Sequence, residues 1–331
     1  MDRLKVGLDP EMAAALAKQA ELCGGSLDPV ELPTPNQRGA QEKRDRYWNE
    51  GGPEVARSVD RHIAGPTGPI LVRFFYPVVA ERLPVVLYIH GGGWTVGSLA
   101  SNDRFMRTLA IESDAVVAGV EYALAPEHPY PTALNEVVAV IDWLTRHGEE
   151  VGIDSKRIGL AGASAGANLA LAASMMLRDQ GRKQICTGAL YVGIYGLDLE
   201  TASYKAFDET GYGPSRKRMQ ALIDLYAPAP TDRDDPYVTP LERGAFNDLP
   251  PFYICAANLD TLYEDSVALA RRIGEAGGHA KLEVFEGVGH AFFKYGRMVS
   301  KGRQAIHSGG HFLAGHFATS SLDAAATADL L

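Results

Sequence analysis

The spacing of apolar residues changes period along the chain, and the changes outline its elements. Met12, Leu16 and Ala20 recur at helical spacing behind Asp9 and Pro10, which read as an N-cap and a first helical residue, so an amphipathic helix is predicted from Pro10 to Leu22. A polar run rich in Pro, Arg and Gln follows from Pro33 to Asn49. Alternating or apolar segments then come at Arg57 to Ile63, Ile70 to Tyr76 and Leu83 to His90, which predict three consecutive strands.

Beyond His90, strands alternate with helices. Strands are predicted at Ala115 to Glu121, Arg157 to Ala161, Gly188 to Ile194, Pro251 to Ala256 and Ala280 to Phe285, and this rhythm argues for a mostly parallel α/β sheet. In the helix opening near Thr132, Leu134, Val137, Val138, Ile141 and Leu144 fall on one face, which reads as core. Leu197 to Asp235 breaks the rhythm, with Tyr204, Phe207, Tyr212 and Tyr226 scattered among Pro, Gly and charges. The expected division is therefore an N-terminal cap segment over 1–50, a core over 51–197 and 236–318, a cap insertion over 198–235, and an Ala-rich frayed tail over 319–331.

Composition narrows the function classes. The 331 residues, 46% of them hydrophobic, suffice for one large α/β domain with an accessory element. A formal net charge of -9 offers no basic surface for nucleic acid or anionic lipid. No stretch has the length of a membrane span and the N-terminus lacks a continuous apolar leader, so a cytoplasmic protein is expected. Cys23, Cys186 and Cys255 are too few and too scattered for a disulfide framework or a zinc site, and read as reduced.

Four elements carry candidate chemistry. Gly162-Ala163-Ser164-Ala165-Gly166 lies between an apolar strand and an Ala-rich helix, the context of a nucleophile elbow, where residues two before and two after the serine must be small. In a chain with 35 glycines the five-residue match alone is weak, and a plain Gly-containing turn is the rival. His90-Gly91-Gly92-Gly93-Trp94 follows an apolar strand and reads as an oxyanion loop, with backbone N–H groups of Gly91, Gly92, Gly93 and Ala165 as donors. The rival there is a phosphate cradle, but no Lys-Ser or Lys-Thr follows the glycines and Gly91, Gly93 and Gly97 miss the dinucleotide spacing. Asp260 and His290 come just beyond two late strands, in the order nucleophile, acid, base, with Glu264 and Asp265 as competitors for the acid. His307, His311 and His316 suggest a metal, yet Gly309 and Gly310 are expected to interrupt a helix there and no acidic ligand is near in sequence, so no metal site is expected. His90 is expected to brace its loop, and Trp94 to line the leaving-group pocket or simply to pack.

Together these elements resemble the bacterial hormone-sensitive lipase family of carboxylesterases, within the α/β-hydrolase superfamily. The resemblance extends to Glu121-Tyr122-Ala123-Leu124-Ala125-Pro126-Glu127-His128-Pro129-Tyr130-Pro131, to Asp235-Pro236-Tyr237-Val238-Thr239-Pro240-Leu241 and to Asp260-Thr261-Leu262, where the family's acid is catalytic. It implies an α/β-hydrolase fold with an eight-stranded, mostly parallel sheet and a helical cap, a small-molecule ester substrate of short-to-medium acyl length, no cofactor, and a homodimer joined through the last strand and its neighbouring helix. Ala163, Ala123 and Tyr195-Gly196 depart from the family's usual Asp, Arg and Pro-Trp, which leaves room for a wider pocket and makes Tyr195 a candidate substrate contact. An amidase, a carbamate hydrolase or an acyltransferase on the same site, and a ligand receptor on an inactive scaffold, are the alternatives.

Overall fold

A computed structural model of the chain describes residues 6–23 and 35–328, so parts of the expected N-terminal cap segment and the last three residues of the expected tail lie outside the described residues. The strands are β1 (Arg57–Ala64), β2 (Pro69–Tyr76), β3 (Leu83–Ile89), β4 (Val116–Glu121), β5 (Ile153–Ala163), β6 (Ile185–Tyr191), β7 (Phe252–Ala257) and β8 (Ala280–Phe285). The helices are α1 (Pro10–Leu22), α2 (Pro35–Asn49), α3 (Asp103–Ser113), α4 (Thr132–His147), α5 (Ala165–Asp179), α6 (Ala202–Phe207), α7 (Arg216–Tyr226), α8 (Pro230–Arg233), α9 (Pro240–Arg243), α10 (Tyr263–Glu275) and α11 (Ser300–Ala328).

One sheet runs in the order β1-β2-β4-β3-β5-β6-β7-β8. β1 and β2 pair antiparallel, β2 pairs antiparallel with β4, and β3 to β8 are parallel. The near-continuous apolar runs in β3 and β4 follow from this placement, because central parallel strands bury both faces. Alternate residues serve opposite cores. Val85, Leu87 and Ile89 pack with α4, α5 and α10, whereas Val86 and Tyr88 pack with α1, α3 and α11.

All eight strands lie where the sequence predicts them, within a few residues at each end. Asp9 caps α1 by accepting from the N–H groups of Glu11 and Met12, as its position before Pro10 implies. Helix α2 occupies what reads in sequence as a polar run. Among its described side chains only Asp45 and Trp48 are buried, and its sequence shows no apolar stripe.

The expectation for α11 is corrected. The helix is continuous through Gly309 and Gly310, where an interruption was expected, and runs to Ala328. The two glycines are the points where α11 touches its neighbours. A Cβ on Gly309 would strike the Tyr191 hydroxyl, and one on Gly310 would lie 2.5 Å from the Glu112 Cβ on α3. Their lost helix propensity, about 1 kcal/mol each, is offset by close contact with the rest of the fold.

Candidate active site

The parallel strands deliver their C-terminal ends to one edge of the sheet, where α/β folds place ligands. Ile89 pairs with Gly162, so the glycine loop after β3 and the turn after β5 emerge side by side. Ser164 occupies that turn with φ 53° and ψ -120°, a left-handed conformation that costs a non-glycine residue about 1–3 kcal/mol. The surrounding backbone holds it there. Its N–H donates to the Tyr191 carbonyl at 2.9 Å, and its own carbonyl accepts from Ala167 at 3.0 Å and Asn168 at 3.2 Å. The need for small flanking residues is explicit: a Cβ on Gly162 would overlap the Gly166 carbonyl, and one on Gly166 would overlap the Ile89 carbonyl.

Two further loops reach the same edge. Ala257 pairs with Phe285, and the loops beyond are tied by Asn258 N–H to the Phe285 carbonyl at 3.0 Å and Leu259 N–H to the Val288 carbonyl at 3.1 Å. That tie brings Asp260 and His290 together. The His290 Nδ1–H donates to Asp260 Oδ2 at 2.7 Å, and its Nε2 stands 3.0 Å from Ser164 Oγ. With Nδ1–H given to the carboxylate, Nε2 is left as an acceptor for the serine proton. Asp260 is 1% exposed, and its Oδ1 accepts from the Leu262 N–H at 3.0 Å. Asp265, a competing acid in sequence, faces elsewhere. It accepts from the N–H groups of Tyr195 at 2.6 Å and Gly196 at 2.9 Å, and burial pushes its carboxyl up to about 7.

The glycine loop lies against the serine. A Cβ on Gly91 would come within 2.7 Å of the Ala163 carbonyl and 3.2 Å of the Ser164 Cβ, so only glycine permits this approach. Gly92, with φ 129°, accepts from Thr95 and Val96 and turns the loop back. Ala165 is the first residue of α5, where N–H groups have no acceptor within the helix. His90 does brace this loop. It is fully buried, donates from Nδ1 to the Gly91 carbonyl at 2.9 Å and stacks on Tyr122 at 4.3 Å, and burial holds its imidazole down at about 4. It is therefore neutral at pH 7. A second brace, Arg38 on α2, had no signal in the sequence. Its guanidinium donates to the carbonyls of Thr95 and Ala125 and pairs with Glu127 at 2.8 Å, which lowers the Glu127 pKa.

A cavity of about 260 Å³ opens over Ser164 and His290. Gly91, Gly92 and Gly93 form part of its wall, and Leu16, Val96, Ile194, Met219 and Leu222 supply apolar surface. Two sequence candidates for substrate contact stand outside its lining. Trp94 is buried behind the loop, stacked face to face on Tyr226 with centroids 4.3 Å apart. Tyr195 is fully buried with its ring over Gly193, and Gly196 faces Glu242 rather than the cavity. Both aromatic side chains satisfy core volume instead, a distinction that depends on loop direction and not on residue type.

A model of the alpha/beta hydrolase fold family matches residues 86–294. Among solved structures, the chain is similar to an ester hydrolase from the metagenome of Lake Arreo complexed with a bipyridine phosphonate derivative, with 31% identity and a TM-score of 0.87 over 94% of this chain and 99% of that one. It is similar as well to a hyperthermophilic esterase of the archaeon Pyrobaculum calidifontis, with 28% identity and a TM-score of 0.87 over 93% of this chain and 98% of that one. EstE1, a thermostable carboxylesterase cloned from a metagenomic library, matches with 30% identity and a TM-score of 0.82 over 86% of this chain and 98% of that one. The chain thus belongs to the α/β-hydrolase fold family and, within it, to the carboxylic ester hydrolases of the hormone-sensitive lipase type.

Proposed function

We propose that this hydrolase cleaves short-to-medium acyl esters in two steps, with Ser164 as nucleophile, His290 as general base and then acid, and Asp260 as the group that orients the imidazole. The observation that carries this reading is the unbroken chain of contacts Ser164 Oγ, His290 Nε2, His290 Nδ1, Asp260 Oδ2 at 3.0 and 2.7 Å. His290 takes the serine proton as Oγ attacks the ester carbonyl, and returns it to the departing alcohol. N–H groups of the Gly91 to Gly93 loop and of Ala165 stabilise the oxyanion, a contribution worth about 10²–10³ in rate per donor. Water, activated by His290, then releases the acid.

The cavity volume of about 260 Å³ suits a small ester. Helix α1 and the insertion over 198–235 serve as the cap, because Leu16 of α1 and Met219 and Leu222 of α7 line the cavity. An organophosphonate should label Ser164, and Ser164→Ala should lose labelling and ester cleavage together. Cleavage that survives in Ser164→Ala would point to another nucleophile. Matched ester and amide substrates test the leaving group, and amide turnover equal to ester turnover would make the chain an amidase.

A further inference from the structure

Outside the cavity over the proposed triad, the last turn of α3 crosses α11 beside two histidines. His307 and His311 are four residues apart on one helix, so their imidazoles lie one turn apart on the same face. Glu112 reaches both from α3. Its Oε2 is 2.7 Å from His307 Nδ1 and 3.7 Å from His311 Nδ1, and the two rings lie 3.9 Å apart between centroids. Each of the three residues offers one ligating atom, and these atoms all lie within 4.8 Å of one another.

The backbone is shaped for this meeting. Gly310 lies between the two histidines, and a Cβ there would come within 2.5 Å of the Glu112 Cβ and 2.8 Å of the Glu112 carbonyl carbon. Only a glycine lets α3 approach closely enough for a short carboxylate side chain to sit among both imidazoles.

We infer that Glu112, His307 and His311 form a binding site for one divalent transition-metal ion of the zinc class, which ties α3 to α11. Two imidazoles and one carboxylate suit Zn²⁺, Ni²⁺ or Cu²⁺, whereas Ca²⁺ and Mg²⁺ favour oxygen-only shells. Tetrahedral zinc with bonds of about 2.0–2.2 Å sets its donors about 3.3–3.6 Å apart, so the widest separation must close by side-chain rotation. His311 Nδ1 also lies 3.1 Å from the His307 carbonyl, a contact that the metal would replace, and the His307 and His311 side chains, 56% and 61% exposed, have room to turn. Water completes the shell. This inference is independent of the proposed ester chemistry, because none of the three residues lines the cavity over Ser164.

The test is calorimetric titration of the chelator-treated full chain with ZnCl₂, alongside thermal unfolding. One zinc should bind per chain, His307→Ala and His311→Ala should each weaken binding roughly tenfold or more, and Glu112→Gln should weaken it as well. Zinc at a hundredfold excess over Kd should raise the wild-type Tm by about 2–5 °C, and this rise should vanish in the His307→Ala/His311→Ala double variant. The metal-free Tm of that variant should stay within about 1 °C of wild type, because exposed side chains contribute little to folding. Absence of zinc binding, binding left unchanged in the double variant, or equal binding of CaCl₂ would each overturn the assignment.

Discussion

The amide N–H of His290 donates to the carbonyl oxygen of Tyr212 at 2.5 Å, so the segment inserted between β6 and β7 is bonded directly to the proposed base. The next residue completes the clasp. A Cβ on Gly213 would lie 2.6 Å from Asp260 Oδ1 and 2.8 Å from the Thr261 amide nitrogen, while the Thr261 hydroxyl donates to the Pro214 carbonyl at 3.0 Å. Residues 212–214 thereby press on both members of the acid-base pair. Gly213→Ala should displace Asp260 and lower kcat roughly 10- to 100-fold, with KM changed by less than about twofold. Steady-state kinetics on one activated ester would check this, and a normal kcat would mean the segment merely covers the site.

Asp260→Asn should lower kcat by about 10⁴, because a neutral amide no longer selects the Nδ1–H tautomer of His290. The neighbouring carboxylate at Asp265 is no substitute, as it bonds to the N–H groups of Tyr195 and Gly196. Rates of the purified variant decide the matter: a loss of less than about tenfold would remove Asp260 from its role.

Asp265 makes a separate prediction about stability. Burial raises its carboxyl to about 7 in the folded chain, from an ordinary value of 3.8. The folded state therefore binds more protons than the unfolded state between these values. Its contribution is largest below pH 4, declines as pH rises and levels off above pH 7, a span of roughly 2–4 kcal/mol. Urea unfolding of wild type and Asp265→Asn from pH 4 to 8 should show the variant with the flatter profile. Parallel profiles would contradict the raised value.

Trp94 should matter for folding and not for alcohol selection. Losing its stack on Tyr226 in Trp94→Ala should cost about 3–5 kcal/mol of unfolding free energy. Trp94→Phe, which keeps an aromatic face there, should leave the ranking of alcohols by KM unchanged. A reordered ranking would return Trp94 to the pocket.

Leu222 does line the cavity, and its truncation should enlarge the space beside Gly93. Leu222→Ala should raise kcat/KM for longer esters about tenfold relative to acetate esters. Lengthening the acyl and alcohol sides in separate series would show which chain passes α7. No change in either series would place the substrate elsewhere in the cavity.

Much of this protein was legible without coordinates, for identifiable reasons. The strands announce themselves because central parallel strands bury both faces and must be apolar, as Val85 to Ile89 and Val116 to Val120 are. Ser164 stands out because its elbow tolerates only small neighbours, a local steric rule written into adjacent residues. Asp260 and His290 were expected from their places just beyond two late strands, from chain order and from the family resemblance, with Glu264 and Asp265 left as competitors for the acid.

What escaped depends on approach between distant segments. Helix α2 is polar in sequence and shows no apolar stripe, and its Arg38 meets the glycine loop only through tertiary folding. Gly309 and Gly310 read as helix breakers because propensity is local, whereas the contacts that use their missing side chains come from β6 and α3. The same crossing unites Glu112 with His307, 195 residues away in the chain, and with His311 one helical turn further on. Local sterics and burial pattern are sequence properties, but which side chains face a cavity and which meet across helices is set by the geometry of the assembled sheet and its layers.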